Sequence, residues 1–193
     1  MIDDSVFCSD YFYVEKTLHD ISFDEEHNEH MTDSVIMAYD FDEIKGEYTR
    51  KLHRTENGIA SVDAIRFLKE KDRVLFIEFK NGMNFKAREL CNKMRDSLLV
   101  YCDISNEHIS ATRNNAEFIV VYNSNRKPIQ KEEKLYEHVQ YSESRDEIKA
   151  YFLSKANKEY VRWGLERYIG IYFNSVHTYN QEAFEDYLNR IDI

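Results

Sequence analysis

Proline is almost absent from this chain: Pro128 is the only one in 193 residues, and there are five glycines. A flexible linker or low-complexity tract needs one of these in quantity, so neither is expected, and no repeat of solenoid period is visible. Cysteine is as scarce. Cys8, Cys91 and Cys102 are odd in number and widely spaced. That excludes a disulfide framework and paired zinc spacing, and it predicts buried thiols in a reducing compartment. No apolar run approaches the roughly 18 residues of a membrane span. The start, Met1-Ile2-Asp3-Asp4, has neither the basic region nor the apolar stretch of a secretory leader. The expectation is a soluble, cytoplasmic protein with no membrane partner.

Aromatic residues are plentiful. Fourteen Tyr and twelve Phe bury a large area each, enough for the core of one domain at this length. The net charge of −10 is unevenly spread. Residues 1–43 hold thirteen acids and a single base, Lys16, for −12; the other 150 residues hold 23 acids and 25 bases, for +2. The body is mildly basic, and the acidity belongs to the N-terminal segment.

Apolar spacing sketches the elements. Val6, Phe7, Tyr11, Val14, Leu18 and Ile21 predict a helix over 5–21, followed by a polar loop at 22–34. Met37, Phe41, Ile44, Tyr48 and Leu52 predict a helix over 35–52, although Gly46 interrupts it. The runs 59–68 and 74–80, split by the polar Lys69-Glu70-Lys71-Asp72, read as a β-hairpin. Its second strand is apolar on both faces. Leu90, Met94, Leu98 and Tyr101 predict a helix over 86–103, and Phe118 to Tyr122 a buried strand. A polar stretch at 123–145, a helix at 146–163 and a strand at 171–178 follow, then a closing helix capped by Asn180. The order is that of an α/β domain with helices on both faces of its sheet.

The hairpin carries the chemistry. With its centre between Glu70 and Lys71, Asp63 falls directly opposite Glu78 on the same face, and Lys80 lies two residues on. Two carboxylates this close to a buried sheet repel and cost desolvation, which a cation between them relieves. On an exposed sheet the same residues would be a plain cross-strand ion pair; the apolar neighbours Ile77 and Phe79 argue for burial and for function. Mg²⁺ suits such a pair, because it takes one or two carboxylates plus water and phosphate. The expected activity is phosphodiester hydrolysis, with Lys80 activating water or neutralising charge on the transferring phosphate. Lys86, Arg88, Lys93 and Arg95 along the next helix form a candidate phosphate-contact patch or an ordinary solvated face. Lys93 and Asp96, one turn apart, are placed to pair with each other.

An acidic residue in one strand, an apolar strand ending Glu78-Phe79-Lys80, and a helix behind it resemble the PD-(D/E)XK nuclease superfamily across about residues 59–102. The resemblance implies a restriction-endonuclease-like αβββαβ core with a mixed sheet. It also implies Asp63, Glu78 and Lys80 as the catalytic set, Mg²⁺ or Mn²⁺ as cofactor, DNA as the substrate, and a role in genome defence. Val62 stands where the family often has Pro. Members often add a helix glutamate; Glu43 and Glu47 both lie on the candidate helix, and neither spacing nor chemistry separates them, with Glu47 carried as the third ligand. The chain then divides into an acidic N-terminal helix and loop (1–34), a nuclease-like core (35–125) and a C-terminal helix–strand–helix extension (126–193). A rival expectation is a catalytically silent nuclease-like module that binds a basic protein partner through acidic residues 1–43. His27 and His30 read as loop histidines, and the aromatics around Tyr160, Trp163, Tyr168, Tyr172 and Phe173 as core.

Overall fold

The computed structural model describes residues 15–55, 58–81, 86–125 and 161–191. Two strands set its plan. β6 (Arg73–Lys80) and β7 (Ala116–Tyr122) are apolar on both faces because both faces are covered. Val74, Phe76, Phe118 and Val120 point into one core, while Leu75, Ile77, Ile119 and Val121 point into the other. Two buried charged side chains interrupt them: Glu78 breaks the first set and Glu117 the second.

Around this pair lie β1 (Glu15–Thr17), β4 (Met37–Asp40), β5 (Ala64–Leu68) and β8 (Ser175–Asn180), giving a mixed sheet in the order β1-β4-β5-β6-β7-β8. β1 to β6 pair antiparallel, whereas β6–β7 and β7–β8 are parallel. A two-residue hairpin, β2 (Phe23–Asp24) with β3 (Glu29–His30), stands apart from it. α1 (Leu18–Ile21) and α5 (Gln181–Ile191) cover one face through Leu18, Phe184, Tyr187 and Leu188. α2 (Phe41–Lys51) and α3 (Ala87–Ser105) cover the other through Phe41, Ile44, Leu90, Met94 and Leu98. α4 (Ile109–Asn115) then leads into β7. Each fully buried Leu or Phe contributes about 1.5–3 kcal/mol, so the two cores carry most of the stability. The α/β class with helices on both faces is as expected.

The hairpin register is also as expected: Ala64 faces Ile77, Ile65 faces Phe76, and Leu68 faces Arg73. The turn is a 3-10 turn at Lys69–Lys71, closed by Asp72 in the left-handed region at φ 52°. Several boundaries differ. β5 begins at Ala64, not Ile59, because the backbone before it bonds to α3 side chains. The helix expected over 35–52 starts only at Phe41. Asp40 caps it, its carboxylate accepting from Glu43 N, and the preceding Met37–Asp40 pairs as a strand with β1 and β5. Within the helix expected over 5–21, residues 15–17 are a strand and only 18–21 are helical; residues 5–14 lie outside the described residues. The loop expected at 22–34 holds the β2–β3 hairpin. The strand expected at 171–178 runs from Ser175 to Asn180 instead. The helix expected over 146–163 lies outside the described residues except at Val161–Trp163, which are not helical. Asn180 does cap α5, accepting from Ala183 N at 2.8 Å.

Candidate functional site

Asp63 precedes β5 and is fixed on several sides before its side chain does anything. Its N–H donates to Ile77 O at 3.1 Å, and its carbonyl accepts from Phe41 N, the first residue of α2, at 3.0 Å. The segment leading to it is bonded to α3. Val62 N donates to Ser97 Oγ at 2.8 Å, and Ala60 N donates to Asp96 Oδ2 at 3.0 Å. Ser61 adds a hydroxyl bond to Asp42 on α2. A non-strand segment is thereby tied to both neighbouring helices and to β6.

From this position Asp63 Oδ2 accepts from Phe79 N at 2.5 Å. Asp63 Oδ1 turns toward Lys93 Nζ on α3, 3.1 Å away. The same ammonium lies 2.7 Å from Glu78 Oε1 and 2.9 Å from Glu78 Oε2. Lys80 Nζ reaches Glu78 Oε1 at 2.5 Å. Neither ammonium meets that oxygen at hydrogen-bond angles, so the contact there is charge against charge.

Glu78 is 0% exposed. Burial pushes its carboxyl up to about 7 and the neighbouring Asp63 pushes the same way, while Lys93 and Lys80 oppose them. Burial pulls Lys93 down, but Asp63 and Glu78 outweigh it and hold the ammonium above the usual lysine range.

Asp63 also lines a cleft of about 690 Å³. Its other acidic walls are Asp40, Asp42 and Glu43 from the start of α2, and Asp24, Glu25 and Glu26 from the β2–β3 hairpin. Among the described residues, no Lys or Arg lines it. Lys16 on β1 sits at its side, bridging Asp40 at 2.8 Å and Glu43 at 2.6 Å. At the C-terminal ends of β6 and β7, Asn123 Nδ2 donates to Asn81 Oδ1 at 2.7 Å, and Asn81 donates on to Glu29.

Asp63, Glu78 and Lys80, singled out in the sequence, do come together. Glu47 does not join them: it pairs with Arg50 one turn along its own helix and is absent from the cleft wall, which Glu43 lines. Of the four bases proposed for phosphate contact, Lys86, Arg88 and Arg95 are exposed. Arg95 folds back on Cys91 O and Asn92 Oδ1. Lys93 leaves that patch for the carboxylates. The expected Lys93–Asp96 pair is not formed, because Asp96 is engaged by Ala60 N. Lys93 is therefore the residue the sequence reading misplaced. The signal was present: it lies three residues after Leu90 and four before Ser97, both fully buried.

No family model, curated protein or solved structure matches this chain. Among the described residues, no group of three or more His, Cys, Asp or Glu converges to hold a metal ion. Two carboxylates do converge on one cationic nitrogen. Hard oxygen donors in that number suit Mg²⁺ or Mn²⁺, which keep water and substrate oxygens in their remaining positions.

Proposed function

We propose that the chain is a divalent-cation-dependent phosphodiesterase acting on nucleic acid, DNA in the first instance. One observation carries the reading: Asp63 and the fully buried Glu78 aim their carboxylates at a single cationic position. A fold gains little from two like charges placed together out of water, and hydrophobic residues of similar volume would serve stability at least as well. Mg²⁺ or Mn²⁺ held there would supply Lewis-acid polarisation of a phosphoryl oxygen.

The chain's own residues account for the rest. Phe79 N fixes the second oxygen of Asp63, leaving Oδ1 to face the cation. Lys80 Nζ, adjacent to Glu78, orients the attacking water and offsets charge growing on the transferring phosphate. The packing of α3 on residues 60–62 holds the strand end in place while water enters from the cleft.

The hairpin, the crossover through α3 and the parallel strand β7 support a restriction-endonuclease-like core. The chain departs from the αβββαβ order in that its third antiparallel strand, β4, comes before α2 and not after it. The test is cleavage of single- and double-stranded DNA and RNA with Mg²⁺ and with chelator. Asp63→Ala and Glu78→Gln should each lower the Mg²⁺-dependent rate by at least about 100-fold. Unchanged cleavage in both variants sinks the assignment.

A second reading has its own observation. The two ammoniums already neutralise the carboxylates, and every charged residue described in the wall of the cleft beside them is acidic. A silent module binding a basic partner through that cleft predicts no cleavage under any metal. It also predicts salt-sensitive binding of a lysine-rich peptide that Asp42→Asn and Glu43→Gln weaken.

A further inference from the structure

Three carboxylate oxygens, one from the segment before β5 and two from β6, meet one nitrogen delivered by α3. Lys93 Nζ is 3.1 Å from Asp63 Oδ1 and within 2.9 Å of both oxygens of Glu78. Lys80, by contrast, pairs with Glu78 alone among the described residues. Lys93 is delivered by construction: Asp96 and Ser97, on the next turn of α3, bond the backbone of residues 60–62 and set the helix against the strand end.

Charge counting gives the consequence. Two carboxylates and two ammoniums balance. A divalent ion bound by the same oxygens would set four positive charges against two negative ones at contact distance, a strongly unfavourable arrangement out of bulk water. The ion and the Lys93 ammonium therefore compete for one place. The lysine's four-carbon stem can swing its charge away without moving the helix, and its side chain is 24% exposed. Once displaced, the ammonium needs an anion, and the phosphodiester arriving at the same site is one.

We propose that Lys93 is an exchangeable internal cation of the phosphodiesterase site proposed above. It closes the metal position until a divalent ion displaces it, and it then binds a phosphate oxygen of the substrate. Metal and nucleic acid consequently load together, each favouring the other.

Two measurements test this without reading cleavage. Calorimetric Mg²⁺ titration should show at least about tenfold tighter binding for Lys93→Met than for wild type, and a smaller gain for Lys80→Met, which removes equal charge from beside the position and not from within it. Nitrogen-15 spectra of the wild-type lysine ammoniums, with Lys93 assigned through its side-chain carbons, should show the Lys93 signal shifting or vanishing on Mg²⁺ addition while Lys80 keeps its own. This second measurement needs no variant to fold. Mg²⁺ binding with an unmoved Lys93 signal overturns the exchange and leaves the phosphodiesterase reading standing. Failure of Mg²⁺ to bind either wild type or Lys93→Met overturns both.

Discussion

Glu78 is a glutamate whose environment prefers it neutral, and that has a measurable sign. Its carboxyl is raised to about 7 in the folded chain, against about 4.5 in an unfolded one. Between those values the folded state binds the extra proton, so stability falls as pH rises through this window and levels off above it. The total change is on the order of 3 kcal/mol. Glu78→Gln cannot ionise, and it should flatten that decline. Melting temperatures from pH 4.5 to 8 should show wild type losing several degrees relative to the variant, and parallel curves would place the titration elsewhere. If Asp63 and Glu78 hold a divalent ion, its affinity should rise over the same pH range, because binding must release the Glu78 proton.

The same scale shows what could be read from the residues alone. Asp63, Glu78 and Lys80 were legible because a four-residue polar turn fixes the hairpin register and a period of two does the rest. Lys93 was not. A lysine on a helix surface is usually solvated, and only the docking of α3 on the strand end, a tertiary fact, turns it inward.

At the scale of elements, α3 carries more than its apolar stripe. Ser97 is fully buried and accepts from Val62 N, so it ties the irregular segment before β5 to the helix. Ser97→Ala leaves that N–H without a partner, at a cost of about 1–3 kcal/mol. Thermal or chemical denaturation should register the loss. Amide exchange should speed up at residues 60–63 more than in β7, and uniform exchange would contradict the tie. Long elements with strong periodicity, α3 and α5 among them, were readable from spacing, as was the Asn180 cap. β1 and β4 were not. Residues 15–17 and 37–40 sit inside helical spacings, and what makes them strands is pairing with each other and with β5. Cross-strand pairing is decided by partners distant in sequence, which periodicity does not see.

For the whole molecule, the acidic N-terminal part is structural as well as charged. Leu18 and Met31 are almost fully buried in the core that α5 closes, and β1 extends the sheet. Leu18→Ala should cost about 2–5 kcal/mol, visible as a lower denaturation midpoint with an unchanged slope. A loss below about 1 kcal/mol would show that this layer is peripheral. The charge map located the acidity correctly but could not show that residues 15–43 wall the cleft beside Asp63. That follows from topology, which returns β4 to the neighbourhood of β5.

The two carboxylates buried in the central strands have opposite tempers. On Glu117, burial alone would raise the carboxyl, but His177, Tyr187 and Arg73 hold it below the ordinary range. Acid therefore reaches them in sequence. Glu78 takes its proton near neutrality, while Glu117 stays ionised until the solution is far more acidic. The protein accordingly has two separate acid limits. Mild acidification neutralises Glu78 beside Asp63 and leaves the Glu117 network intact. On the proposed phosphodiesterase reading, acidification would weaken metal binding reversibly before it disturbs the Glu117 network.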